Sequence, residues 1–186
     1  MGRRRVGSGR CFRVGALVVG GILLLAVLVA CARQQASSTA PSGVTSYSNL
    51  SRNHTEGAVD YAQNPPVGGA HSPQWQNCGI YSAPVRNENA VHSMEHGAVW
   101  ITYRPDLPQE QVDKLRDLAH SQSYVLVSPY TYRGLPSPVV ASAWGKQLKL
   151  DSANDPRLEQ FVSAYREGPQ TPEPGAPCTA GVGSPE

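Results

Sequence analysis

No Cys-x-x-Cys pair occurs in the 186-residue chain, so it has no couple for thiol–disulfide exchange of the thioredoxin kind. A Gly-x-Ser-x-Gly elbow is also missing, which leaves serine-nucleophile chemistry without support. Neither a phosphate-cradling loop nor a dinucleotide fingerprint is present, and no internal repeat points to a solenoid. Acidic residues are missing from the first 31 positions. Five of the chain's 16 basic residues lie there and none of its 14 acidic ones, so the remainder carries a formal charge of −3 rather than +2. That remainder lacks the basic excess needed to hold nucleic-acid phosphates, and no nucleic-acid partner is expected.

What the leader does contain is Arg3, Arg4, Arg5, Arg10 and Arg13, followed by an uncharged apolar run from Val14 to Ala30. A positive segment before an apolar one is the pattern of a signal or membrane anchor. The arginines stay on the cytoplasmic side, so the chain beyond residue 32 is expected outside the cell membrane, tethered by its N-terminal segment. The run ends Leu28-Val29-Ala30-Cys31, similar to the bacterial lipobox. Two outcomes stay open: lipidation of Cys31, as in a lipoprotein, or an uncleaved anchor that ends there. The twin-arginine export pattern is not completed after the arginine run.

Cys78 and Cys178 are the cysteines left for the outer domain. In an oxidising compartment an even pair reads as a disulfide, and the other reading is a pair of thiolate ligands. Four stretches follow from composition: an anchor at 1–31, a Ser/Thr/Gln/Gly-rich flexible linker at 32–53, an α/β domain at 54–167, and a Pro/Gly-rich irregular tail at 168–186 that Cys178 pins to the body. The first third of the domain is rich in turn formers, with Pro65-Pro66 and Gly68-Gly69 as breakers. A short helix is predicted near 88–96, with Asn87 as N-cap and Gly97 as a left-handed C-terminal stop. Residues 97–103 read as a strand. A helix follows from Pro108, with Val112, Leu115, Leu118 and Ala119 on one face. Residues 124–130 and 138–145 read as strands, and 146–150 extends or pairs back on the latter. Pro156 opens a last helix with Leu158, Phe161, Val162 and Tyr165 as its stripe. This βαβββα order implies a small mixed sheet with two covering helices, preceded by a loop-rich segment; a thioredoxin-like arrangement fits it.

The stretch "VHSMEH" carries the chemistry. His92 and His96 are four apart, so on a helix their imidazoles share a face and can reach one ion, with Glu95 nearby. Met94 adds a thioether, which would suit copper, whereas imidazole with carboxylate would suit zinc. His71, in a glycine-rich turn beside Trp75, is the expected third ligand and His54 the fourth. His120 ends a helix, where its cation complements the helix dipole. Two other readings are kept: a structural His/Glu network in an envelope module that holds a partner protein, and a metal hydrolase. The hydrolase follows from the match to His-x-x-Glu-His, with Glu159 as a conceivable further ligand.

The segments "NPPVGGAHSPQW", "GIYSAPV", "VHSMEHGAVWITYRPDLP" and "VVASAWGKQLKLD" resemble the bacterial domain-of-unknown-function family numbered 3105. Its motifs fall at Pro65, Pro66, Gly69 and His71, at His92, Glu95, His96 and Gly97, and at Ala143, Trp144 and Gly145. The resemblance implies a membrane-anchored protein and supplies no activity.

Overall fold

The computed structural model describes residues 39–186. The expected anchor at 1–31, with Cys31, lies outside the described residues. Among those described, no helix is long and apolar enough to cross a membrane.

In chain order the elements are β1 (Thr45–Ser46), β2 (Gly79–Ile80), α1 (Asn87–Glu95), β3 (Val99–Tyr103), α2 (Gln109–Ser121), β4 (Val125–Pro129), β5 (Val139–Ala143), β6 (Lys146–Leu150) and α3 (Arg157–Tyr165). They form one mixed sheet in the order β1-β6-β5-β3-β4-β2. The pairs β3/β4 and β4/β2 are parallel, while β3/β5, β5/β6 and β6/β1 are antiparallel. The parallel pair β3/β4 needs a crossover, and α2 supplies it.

The three central strands are buried on both faces, which explains their nearly unbroken apolar sequences. Val99, Ile101, Val125, Val127, Val139 and Ala141 face one side, where Val112 and Leu115 of α2 and Leu158, Phe161 and Val162 of α3 cover them. The alternate residues Trp100, Leu126 and Val140 face the other side. There the cover is α1, through Ala90, Val91 and Met94, and the turn-rich segment. The two covering helices expected from the sequence lie together on one face; the short helix expected near 88–96 is α1, which carries His92 and covers the other.

The expected linker gives way in its second half. Thr45 and Ser46 pair with Gln147 and Lys146 as an edge strand, and the Asn53 carbonyl accepts from the His71 amide. Pairing of this kind uses backbone groups alone, so a polar composition does not preclude it. The tail is irregular but belongs to the body. Its Cys178, Val182 and Glu186 exchange backbone hydrogen bonds with residues 75–80, and Cys78 and Cys178 are placed as a disulfide pair with Cα atoms 5.4 Å apart.

Candidate metal centre

Helix α1 is short because its end is sharply defined. Gly97 has φ +106° and donates to the Met94 carbonyl at 3.1 Å; a Cβ there would meet the Glu167 backbone at 3.1 Å. The start is not as expected. Asn87 lies inside the helix, and Arg86 stands at the N-cap without a side-chain cap. Its guanidinium instead bonds Glu88 and the carbonyls of Glu56 and Gly57.

The polar face of α1 is buried rather than solvated, because the 71–76 loop lies along it. The Ser72 amide donates to the Glu88 carbonyl, Gln76 to that of Asn89, Asn89 Nδ2 to the Gln74 carbonyl, and Ser93 Oγ to that of Gln76. The loop places His71 over the helix. Gly68, at φ +141°, lets it pass Leu50 and Trp144, which a Cβ would meet at 2.8 and 3.3 Å. A backbone bridge between residues 54 and 71 sets His54 beside His71.

Four of the five histidines therefore converge. Ring centroids are 4.9 Å apart for His54 and His71, 5.1 Å for His54 and His92, 4.9 Å for His71 and His92, and 4.5 Å for His92 and His96. Trp75 lies against His92 and His96, and Trp144 against His71. His71, His92, His96 and Glu95 are buried; His54 is exposed.

The orientation of the rings is the informative feature. Nδ1 of His71 donates to the Gly69 carbonyl at 2.8 Å, Nδ1 of His92 to Ser72 at 2.7 Å, and Nδ1 of His96 to Pro177 at 2.7 Å. A carbonyl can only accept, so each Nδ1 bears a proton and each neutral ring keeps its lone pair on Nε2. Metal-bound histidines are oriented in this way. His71 Nε2 lies 2.8 Å from Glu95 Oε2, a contact that pairs the two side chains when the ring is protonated. Arg52 Nε stands 3.9 Å from the other Glu95 oxygen.

Burial pushes His92 down to about 4, helped by the neighbouring imidazoles, against the lift from the Ser72 carbonyl. Burial also pushes His71 down, but the Glu95 carboxylate and the Gly69 carbonyl outweigh it and the net shift is upward. For Glu95, burial acts upward and the contact with His71 prevails, so its carboxyl lies below the usual range.

Two donor sets have all their ligand atoms within 4.8 Å of one another: His54, His71, His92 and Glu95, and His92, His96 and Glu173. Zn–N bonds of about 2.0–2.1 Å place tetrahedral donors roughly 3.4 Å apart, so an ion would draw these side chains slightly inward.

Met94 is a correction. Two positions beyond His92 on a helix is a turn of about 200°, and its side chain packs among Trp100, Leu126 and Val140 in the core. Glu159 is another: it lies on α3, across the sheet, beside Lys114 and Asp117. Glu173 was not foreseen. The proline-rich tail has no periodicity, and its approach to α1 rests on a long-range bond from the Glu173 amide to the Glu95 carbonyl. The role of Trp144 was also missed, though its Ala-Trp-Gly motif was visible. Gly145 donates to the Val67 carbonyl, which ties that motif to the His71 loop.

The family model described as "Protein of unknown function (DUF3105)" matches residues 53–180. The chain belongs to this family. No curated protein and no solved structure matches it. The matched span of the domain holds His54, His71, His92, Glu95, His96 and Glu173, and so contains both donor sets whole.

Proposed function

We propose that the domain binds a divalent transition-metal ion through Nε2 of His71 and His92, the imidazole of His54 and the carboxylate of Glu95. The observation that carries this is the uniform tautomer of the buried rings, each anchored through Nδ1 to a carbonyl so that Nε2 is left for a ligand. With the Met94 thioether in the core, imidazole and carboxylate remain, a donor set that favours zinc over copper. The leader supports a place for the domain outside the membrane, tethered by its anchor. The β6-β5-β3-β4 order with the α2 crossover supports reading the core as a thioredoxin-like arrangement without the dithiol.

The test is zinc titration of the purified full-length chain with elemental analysis. Binding near one ion per chain is expected, and Glu95→Gln and His92→Ala should each weaken it about 10- to 100-fold. Equal affinity in both variants would remove the proposal.

A second reading is favoured by the same hydrogen bonds: the histidines fasten the 71–76 loop and the tail to α1 as a structural network in an envelope module that engages a partner protein. It requires His92→Ala to lower thermal stability in chelator, where no ion contributes.

A further inference from the structure

His92 belongs to both donor sets, yet it has one nitrogen to offer. Its Nδ1 is committed to the Ser72 carbonyl at 2.7 Å, so a single Nε2 lone pair serves both. One lone pair holds one ion. Resting on the metal reading above, we propose that the domain has two alternative positions for a single ion. The inner one is formed by His54, His71, His92 and Glu95, and the outer one by His92, His96 and Glu173; the ion passes between them by swinging on His92.

The two positions differ in ways that assign them different work. The inner set offers four donors, enough to close a tetrahedral shell, and His71 and Glu95 within it are buried. Closed four-donor shells suit retention. The outer set offers three donors, which leaves a coordination position open to an incoming ligand. One of the three, Glu173, is half exposed, with 51% of its side chain accessible, and stands 3.5 Å from His96 Nε2. Its backbone is nonetheless held, the Glu173 amide donating to the Glu95 carbonyl at 3.1 Å. A pre-placed but solvent-facing carboxylate beside an open position is suited to exchange with an external donor. His92 and His96 ring centroids are 4.5 Å apart, the shortest separation among the histidine rings, so the transfer is a local swap of ligands with no change of oxidation state for zinc. On this reading the domain hands an ion to, or takes one from, an acceptor that presents its own metal ligands; the site is not a permanent structural one.

The experiment uses the full-length chain loaded with zinc and a chromogenic chelator in excess, with stopped-flow detection of zinc transfer and, separately, the equilibrium affinity. One zinc per chain is expected. Glu173→Gln should slow transfer about tenfold and lower affinity by less than Glu95→Gln does, which should weaken it about tenfold or more. Because Glu173 is half exposed, its substitution leaves the fold intact, which circular dichroism verifies. Two zinc ions per chain overturns the sharing of one ion and leaves only metal binding by the domain standing; transfer from Glu173→Gln as fast as from the parent overturns the two-position proposal and leaves single-site binding standing. A parent chain that binds no zinc overturns both.

Discussion

His92 is the residue on which most of the chemistry turns, and its protonation gives a test without metal. In chelator its folded-state value is about 4, against 6.5 for a free histidine. Between these values the unfolded chain binds a proton at this position that the folded chain does not. Stability should therefore fall as pH is lowered from 6.5 towards 4. His71 is shifted the other way, so its contribution is complete below 6.5 and is lost only as pH rises through its folded-state value. The slope in the upper part of that window is thus assigned to His92, since Glu95 and Asp155, both lowered, add to the loss only once pH falls towards the ordinary carboxylate range. Urea unfolding of His92→Phe should show a clearly flatter dependence over that window; an unchanged slope would place the proton elsewhere. With zinc present the same acidification competes directly, because an imidazole must give up its Nε2 proton to bind.

At the scale of elements, the site depends on where α1 stops and on what holds the tail against it. Gly97 adopts a positive φ that a side chain resists, and its amide closes the helix on Met94. Gly97→Ala should cost about 1–3 kcal/mol, read as a lowered urea midpoint. The tail supplies the Pro177 carbonyl to His96 and the Glu173 carboxylate to the outer donor set, and Cys178 follows Pro177 directly. The pair Cys78–Cys178 spans a sequence separation of 100, for which the chain-entropy picture gives up to about 4.7 kcal/mol. Reductant should lower the melting temperature of the parent and leave that of a Cys78→Ser/Cys178→Ser variant unchanged. In that variant zinc transfer should slow as it does in Glu173→Gln, since the same carboxylate loses its footing. Equal melting of parent and variant under oxidising conditions would show the bridge to be dispensable.

For the molecule as a whole, two helices seal one face of the sheet, and the other face is closed by α1, the turn-rich segment and the tail. The irregular half of the domain is therefore the half that carries the polar cluster. On our proposal that the leader tethers that half outside the cytoplasm, the expectation is specific: full-length chain in the membrane fraction, with the domain cleaved by protease added to intact spheroplasts. Recovery of the chain in the cytoplasmic fraction would remove the tether and, with it, the oxidising environment that the disulfide needs.

Much of this organisation was determined by local sequence. The central strands were legible because burial on both faces demands unbroken Val, Ile and Leu, and α2 because its apolar residues recur every three to four positions. His92 and His96 were legible as a pair because four residues make about one helical turn. Gly97 marked the end of α1 for the same local reason. Tertiary structure alone decided the rest. Met94 reads as a metal ligand beside the histidines, until the sheet claims its face of the helix. Thr45–Ser46 joins the sheet through backbone groups that no composition reveals. Glu173 reaches His96, 77 positions away, because a hydrogen bond and a cysteine pair fold the tail back. Short-range preferences are written in neighbouring residues, whereas contacts across a hundred residues exist only once the chain has closed on itself.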